Sequence, residues 1–210
     1  LYQVATAALS PVDIAVPVRQ ILKKQENLTF LMGEVTAIDK QKKTITVDHT
    51  VIYPFDFLIV APGARHSYFG KDQCEQYAPG LKTLSDAALL REKILAAFER
   101  AERAATPEEA QEQMRFAVIG GGPTGVELAG AIAEIAFHTL IHDYGHISSK
   151  QAKIFLIEGA SHLLPGFPER LSNRAKKDLE DLGVSVLLNF IVTDVTDTGI
   201  SSREKHIATP

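Results

Sequence analysis

The sequence predicts an α/β fold built on a parallel sheet, preceded by a β-rich stretch. Three observations lead there. Residues 115–188 alternate strand-like apolar runs, "RFAVI", "KIFLIE" and "VSVLL", with segments of helical length and periodicity. A glycine-rich turn, "GGGPTG", joins the first of these strands directly to a helix. The composition, 45% hydrophobic and 23% charged over 210 residues, is that of an ordinary globular chain long enough to bury a core.

The elements follow in order. The first eighty residues read as loops and strands more than helices, with β-rich runs at Leu28 to Asp39, Lys43 to Val47 and Phe55 to Val60. A hairpin turn is expected across Asp39-Lys40-Gln41-Lys42, between the first two. "FDFLIVAPG" is continuously apolar from Phe57 to Ala61, which predicts a buried strand whose end meets a ligand. Beyond Gly80, Ser85 is placed to cap a helix with the stripe Leu90, Ile94, Phe98 and Ala101, and Pro107 ends it or starts another. After the strand "RFAVI" and the glycine turn, a helix runs to about His142. The strand "KIFLIE" comes next, then a helix opened at Pro168 and closed by Gly183 with the stripe Leu171, Ala175, Leu179 and Leu182. The strand "VSVLL" follows. Strands separated by helices of this length are parallel neighbours in a doubly wound sheet.

Charge and cysteine content remove several functions. With 22 Lys+Arg against 26 Asp+Glu, net −4, the chain lacks the basic excess that binding a phosphate backbone requires, so no nucleic-acid partner is expected. The single cysteine, Cys74, excludes a thiolate zinc cage or a two-cysteine redox centre within this stretch, and an intracellular setting fits. No run of 18 uncharged residues occurs, so no membrane span is expected.

Gly120-Gly121-Gly122-Pro123-Thr124-Gly125 fits GxGxxG between a strand and a helix, the context that makes the motif specific. Gly120 permits the tight turn, Gly122 lets backbone approach a pyrophosphate, and Gly125 lets helix and strand pack closely. The N–H groups and positive dipole end of the new helix face the phosphates. Glu158, ending the second strand, stands where a carboxylate accepts hydrogen bonds from an adenosine ribose. It lies 33 residues beyond Gly125, further than the usual ~20, through an insertion around "HDYGHISSKQ". An acid at Glu127, two residues past the third glycine, also has a structural explanation in the helix macrodipole. His138, His142 and His146 are spaced four apart, but Gly145 breaks the helix before the third, so no metal is expected. There is no GxSxG elbow to support a hydrolytic triad.

"YQVATAALSPVDIAVPVR", "YPFDFLIVAPGARHSYFG", "FAVIGGGPTGVELAGAIAEIA" and "LIEGASHLLPGFPERLSNRAKKDLEDLGV" resemble, in order, consecutive blocks of the type II NADH:quinone oxidoreductases. The resemblance covers essentially the whole chain. It implies a flavoprotein of two dinucleotide-binding domains, a Rossmann-like NADH-binding domain with a parallel sheet inserted into an FAD-binding one. Hydride would pass from NADH to FAD, and electrons on to a membrane quinone. Gly120, Gly121, Gly122, Pro123, Thr124, Gly125 and Glu158 would then hold NADH. Glu127, the expected catalytic residue, matches an acid beside nicotinamide and flavin, and Val35 with Ala61, Pro62 and Gly63 match backbone positions along the FAD.

Family members carry a first GxGxxG before this stretch, and a flavin-binding Gly-Asp segment, a quinone-site motif and an amphipathic membrane anchor after it. The chain is therefore expected to be an internal fragment, inactive and without flavin on its own. Residues 1–80 are expected to be part of the FAD domain and 81–210 the NADH domain. For the full-length protein the resemblance implies peripheral attachment at the cytoplasmic face of the inner or plasma membrane, and allows a homodimer. Two alternatives stay open: a ferredoxin-reductase-like or apoptosis-inducing-factor-like NADH oxidoreductase, and a module that senses NADH without turning it over.

Overall fold

The computed structural model describes residues 1–203 and 205–209. In chain order it contains α1 (Tyr2–Ala5), α2 (Pro11–Ile14), α3 (Val18–Leu22), β1 (Val35–Asp39), β2 (Thr44–Val47) and β3 (Val51–Pro54). A 3₁₀ turn (Asp72–Gln76) precedes α4 (Leu84–Glu102), α5 (Pro107–Gln113), β4 (Arg115–Ile119) and α6 (Pro123–Glu134), which runs into a π-helical turn (Ile135–Thr139). A second 3₁₀ turn (Ser149–Gln151) leads to β5 (Lys153–Ile157), α7 (Glu169–Asp181), β6 (Val184–Leu187), β7 (Asp194–Thr196), β8 (Gly199–Ser201) and β9 (His206–Ala208). Packing divides the chain into two compact units: Ala15–Arg65, and Leu1–Ile14 together with the chain from His66 onward. The expected division at residue 80 is one of ligand rather than of packing, and belongs to the proposal below.

The smaller unit is an antiparallel meander, β1-β2-β3. Its first turn forms where expected, because the Asp39 carboxylate accepts the N–H groups of Gln41 and Lys42 at 3.0 and 2.9 Å. Two expectations are corrected. Of the run from Leu28, only Val35 to Asp39 pairs as a strand. The third strand is Val51–Pro54, whereas "FDFLIVAPG" is irregular chain without a ladder partner, its Phe57 and Ile59 93% and 91% exposed. A continuously apolar run becomes a buried strand only when neighbouring strands take up its backbone polar groups and both its faces are covered. Among the described residues nothing does so. The opening segment also carries three short helices where loops and strands were expected.

In the larger unit β4, β5 and β6 form a parallel sheet in that order. Both faces are covered, which explains why the strand sequences are apolar without alternation. Phe116, Val118, Ile154, Leu156, Val184 and Val186 face a helical layer drawn from α4, α5, α6 and α7. Ala117, Phe155, Ile157 and Leu187 face Cys74, Phe190, Val195 and Ile200, the last two from the antiparallel meander β7-β8-β9. The expected doubly wound arrangement is corrected: the helices of this sheet share one face and a meander covers the other. The α1 segment packs here as well, Val4 and Ala5 against Ala87 of α4.

Helix ends refine the sequence reading. The cap of α4 is Thr83 and not Ser85: its hydroxyl accepts the Asp86 N–H at 3.1 Å, while the Asp86 carboxylate accepts the Thr83 N–H at 2.8 Å. Pro107 occupies the first turn of α5 under a Thr106 cap. The long helix ends by Leu140 and does not reach His142. Pro168 caps α7, and Gly183, at φ +92°, follows its last turn. Of the α7 stripe only Leu179 is fully buried; Leu171 and Leu182 stay exposed.

Candidate dinucleotide site

The turn from β4 to α6 gives each glycine a different task. Gly120, at φ +110°, adopts a backbone that side chains resist, and its N–H continues the sheet by donating to the Ile157 carbonyl at 2.8 Å. A Cβ on Gly121 would stand 2.7 Å from Leu163 Cδ2 and 2.9 Å from Glu158 Oε2, so this position is walled in. A Cβ on Gly122 would meet nothing within 4 Å, so the protein leaves that side of the turn open. A Cβ on Gly125 would sit 1.9 Å from the Gly120 carbonyl oxygen. The close packing expected of Gly125 is thus mainly helix against turn, with the strand side chain of Leu156 further off at 3.5 Å.

Gly122 caps α6 without a side-chain bond, Pro123 has no N–H, and the first helical bond runs from Val126 N–H to the Gly122 carbonyl at 3.0 Å. The N–H groups of Thr124 and Gly125 therefore stand ahead of the ladder. Together with the positive end of the helix dipole they form a place for an anion beside the open flank of Gly122.

Glu158 follows the last residue of β5 and extends the parallel ladder through its backbone: its N–H donates to Leu187 and its carbonyl accepts from Phe190. Its half-buried carboxylate accepts the Gly121 N–H at 2.6 Å and the Ala160 N–H at 2.7 Å. The following loop turns back over the glycines, and Leu164, at φ +54°, donates its N–H to the Gly121 carbonyl at 2.7 Å. Sequence reading missed Ala160, Leu163 and Leu164 as partners of the turn. The one available signal was an apolar Leu163-Leu164 pair inside a loop rich in Gly and Pro.

The structure thus brings Gly120 to Gly125 and Glu158 into one cluster. Glu127 is on the same helix but in its second turn, where the macrodipole account of an acid weakens. It is exposed and lines an open groove of about 470 Å³ between α6 and α7, shared with Tyr2, Glu134 and Asp178. Val35 opens β1 and Ala61, Pro62 and Gly63 lie in the irregular segment after β3. All four are exposed and belong to the smaller unit.

The insertion before β5 is clamped to α4. The Glu102 carboxylate accepts the N–H groups of Gly145, His146 and Ile147 at 2.9 to 3.1 Å and pairs with His146 Nδ1 at 2.9 Å. Burial pushes the Glu102 carboxyl up, but those donors outweigh it and hold it below the usual carboxylate range. Tyr144 stacks on Phe98 and donates to Glu99. Burial first, then the Glu99 carboxylate, pushes its phenol up to about 12. With His146 so engaged and the helix ended by Leu140, the three histidines share no helical face. Among the described residues no group of three or more metal-type side chains converges.

Comparison with known proteins gives a consistent picture. The family profile of the pyridine nucleotide-disulphide oxidoreductases matches residues 1–208. Type II NADH:quinone oxidoreductase Ndh of Mycobacterium tuberculosis is 45% identical over 207 residues, covering 97% of this chain and 45% of that protein. A type II NADH:quinone oxidoreductase of Staphylococcus haemolyticus is 30% identical, covering 99% and 51%. The solved structure of NDH2 from Plasmodium falciparum in complex with NADH matches with a TM-score of 0.85 at 27% identity, covering 99% of this chain and 45% of that one. The chain spans about half the length of these relatives. Its sequence match over nearly every residue, and its parallel sheet opened by a glycine turn, place it in the pyridine nucleotide-disulphide oxidoreductase family.

Proposed function

We propose that this chain is the NADH-binding part, with a portion of the FAD-binding part, of a flavin-dependent NADH dehydrogenase that delivers electrons to a membrane quinone. The observation that carries the reading is the open flank of Gly122 beside the bare N-terminus of α6, with the Glu158 carboxylate at the end of the adjacent strand. In this reading the pyrophosphate of NADH lies against Gly122, held by the N–H groups of Thr124 and Gly125. The two outward lone pairs of Glu158 accept the ribose hydroxyls of adenosine. Glu127 stands along α6 toward the nicotinamide. Val35 and Ala61 to Gly63 offer backbone groups to FAD, and Gly63, at φ +74°, allows a sharp change of direction there. FAD supplies the acceptor for the nicotinamide hydride and returns electrons to quinone.

The division by cofactor is 1–80 for FAD and 81–210 for NADH. No helix among the described residues is long and apolar enough to cross a membrane. In this reading the full-length protein meets quinone at the membrane surface, on its cytoplasmic side, and allows a homodimer. The relatives named above, one of them solved with NADH, support this reading. Purified full-length protein should be yellow with bound flavin and should oxidise NADH with a short-chain quinone. A colourless protein that binds NADH without oxidising it would favour the sensing module instead.

A further inference from the structure

Both oxygens of the Glu158 carboxylate are already engaged by this chain, one by Gly121 N–H at 2.6 Å and one by Ala160 N–H at 2.7 Å. Gly121 is also held from the other side, its carbonyl accepting Leu164 N–H at 2.7 Å and its α-carbon walled by the buried Leu163. We propose that Glu158 is a positioning residue for the phosphate-binding turn: it fixes the peptide of Gly121, and with it the open flank of Gly122, independently of any contact it makes to a ribose.

The chemistry favours a carboxylate over its isosteric amide. A carboxylate only accepts, and here it faces N–H donors on both sides. A glutamine has one oxygen and one NH₂, so one of the two contacts would set donor against donor and leave a half-buried N–H without its acceptor. Because the Gly121 N–H is spent on Glu158, a pyrophosphate is left to N–H groups further along, those of Thr124 and Gly125 among them, whose aim depends on how the turn is held.

The proposal rests on the nucleotide-binding reading, and its test separates the two. In the full-length protein, affinities for ADP and for 2′,3′-dideoxy-ADP are measured for wild type, Glu158→Gln and Gly121→Ala, well below each variant's melting transition. Amide exchange of the peptide spanning 119–125 is followed by mass spectrometry without nucleotide. The dideoxy nucleotide has no hydroxyls for Glu158 to bind, so a pure ribose ligand would leave its affinity untouched. Glu158→Gln is expected to weaken dideoxy-ADP by about fivefold or more and to speed exchange in the turn. Gly121→Ala, whose Cβ displaces the carboxylate without altering its charge, is expected to do the same. Unchanged dideoxy-ADP affinity in both variants, or unchanged exchange, would overturn the proposal. If wild type binds neither nucleotide, the nucleotide reading fails, and the exchange rates alone decide the brace: faster exchange supports it and unchanged exchange overturns it.

Discussion

The Glu158 carboxylate and the Gly121 N–H, 37 residues apart in sequence, meet at 2.6 Å and tie the end of one strand to the turn that follows its neighbour. Glu158 and the glycine turn, the parts proposed to meet ribose and phosphate, therefore belong to a single hydrogen-bonded unit. Within that unit the glycines differ: a Cβ on Gly125 would strike the Gly120 carbonyl oxygen, whereas one on Gly122 would meet no protein atom within 4 Å.

Gly125→Ala should lower stability. The new Cβ would sit 1.9 Å from a backbone oxygen that cannot swing aside, so helix and turn must separate. A loss of about 1 to 3 kcal/mol is expected, measured by chemical denaturation of the full-length protein. An unchanged midpoint would contradict this packing.

The Glu102 clamp should make the insertion loop acid-sensitive. Its carboxyl is lowered in the folded state, so the stability it contributes is present above the ordinary glutamate value of about 4.3 and is lost as pH falls through the lowered one. The melting temperature of wild type should exceed that of Glu102→Gln at neutral pH, and the difference should close only below about pH 4.3. Glu99 and Tyr144 are present in both proteins and cancel in the comparison, whereas His146 pairs with the Glu102 carboxylate in wild type only, so both proteins are compared in a His146→Ala background. A difference that grows on acidification would contradict the assignment.

Lys71 should anchor the meander β7-β8-β9. Its ammonium donates to the carbonyls of Val192, at 3.3 Å, and Thr193, just before β7. Lys71→Met keeps the stem but leaves both carbonyls without this donor, for an expected loss of about 1.5 to 3 kcal/mol by denaturant titration. A change below about 0.5 kcal/mol would show that water replaces the ammonium at no cost.

The parallel sheet was legible because its strands are buried on both faces and its helices announce themselves by periodicity, a glycine turn and Gly183. The cap of α4 was misplaced by two residues because Thr83 and Ser85 are both good caps. What decides between them is the reciprocal bond with Asp86 three residues after Thr83. "FDFLIVAPG" was read as a buried strand from apolarity alone, and apolarity does not supply the neighbours a strand must pair with. In the candidate site, Gly120 to Gly125 stand out by their GxGxxG spacing and Glu158 by its place at the end of the second strand. The bond joining Glu158 to Gly121 does not, since it depends on how the loop carrying Leu163 and Leu164 folds back.

The nucleotide should be NADH in preference to NADPH. Glu158 would face a 2′-phosphate with like charge, and Gly159, Ala160, Ser161 and His162 supply no Arg or Lys to receive it. A preference of about tenfold or more at neutral pH, about 1.4 kcal/mol, is expected from titrations of both nucleotides. Glu158→Gln should narrow that ratio while also weakening NADH, because it removes the brace on Gly121 together with the charge. Equal wild-type affinities would mean that Glu158 does not meet the ribose.

The central claim is that NADH binds along the open flank of Gly122, and calorimetric titration of NADH into full-length wild type and Gly122→Val protein tests it most directly. A valine there meets no protein atom within 4 Å of its Cβ, so the melting temperature should stay within a few degrees, about 1 kcal/mol at most for the altered helix cap. Its side chain would fill the space assigned to the pyrophosphate, so NADH affinity should fall by about tenfold or more. Unchanged NADH affinity in a well-folded Gly122→Val protein would contradict the account.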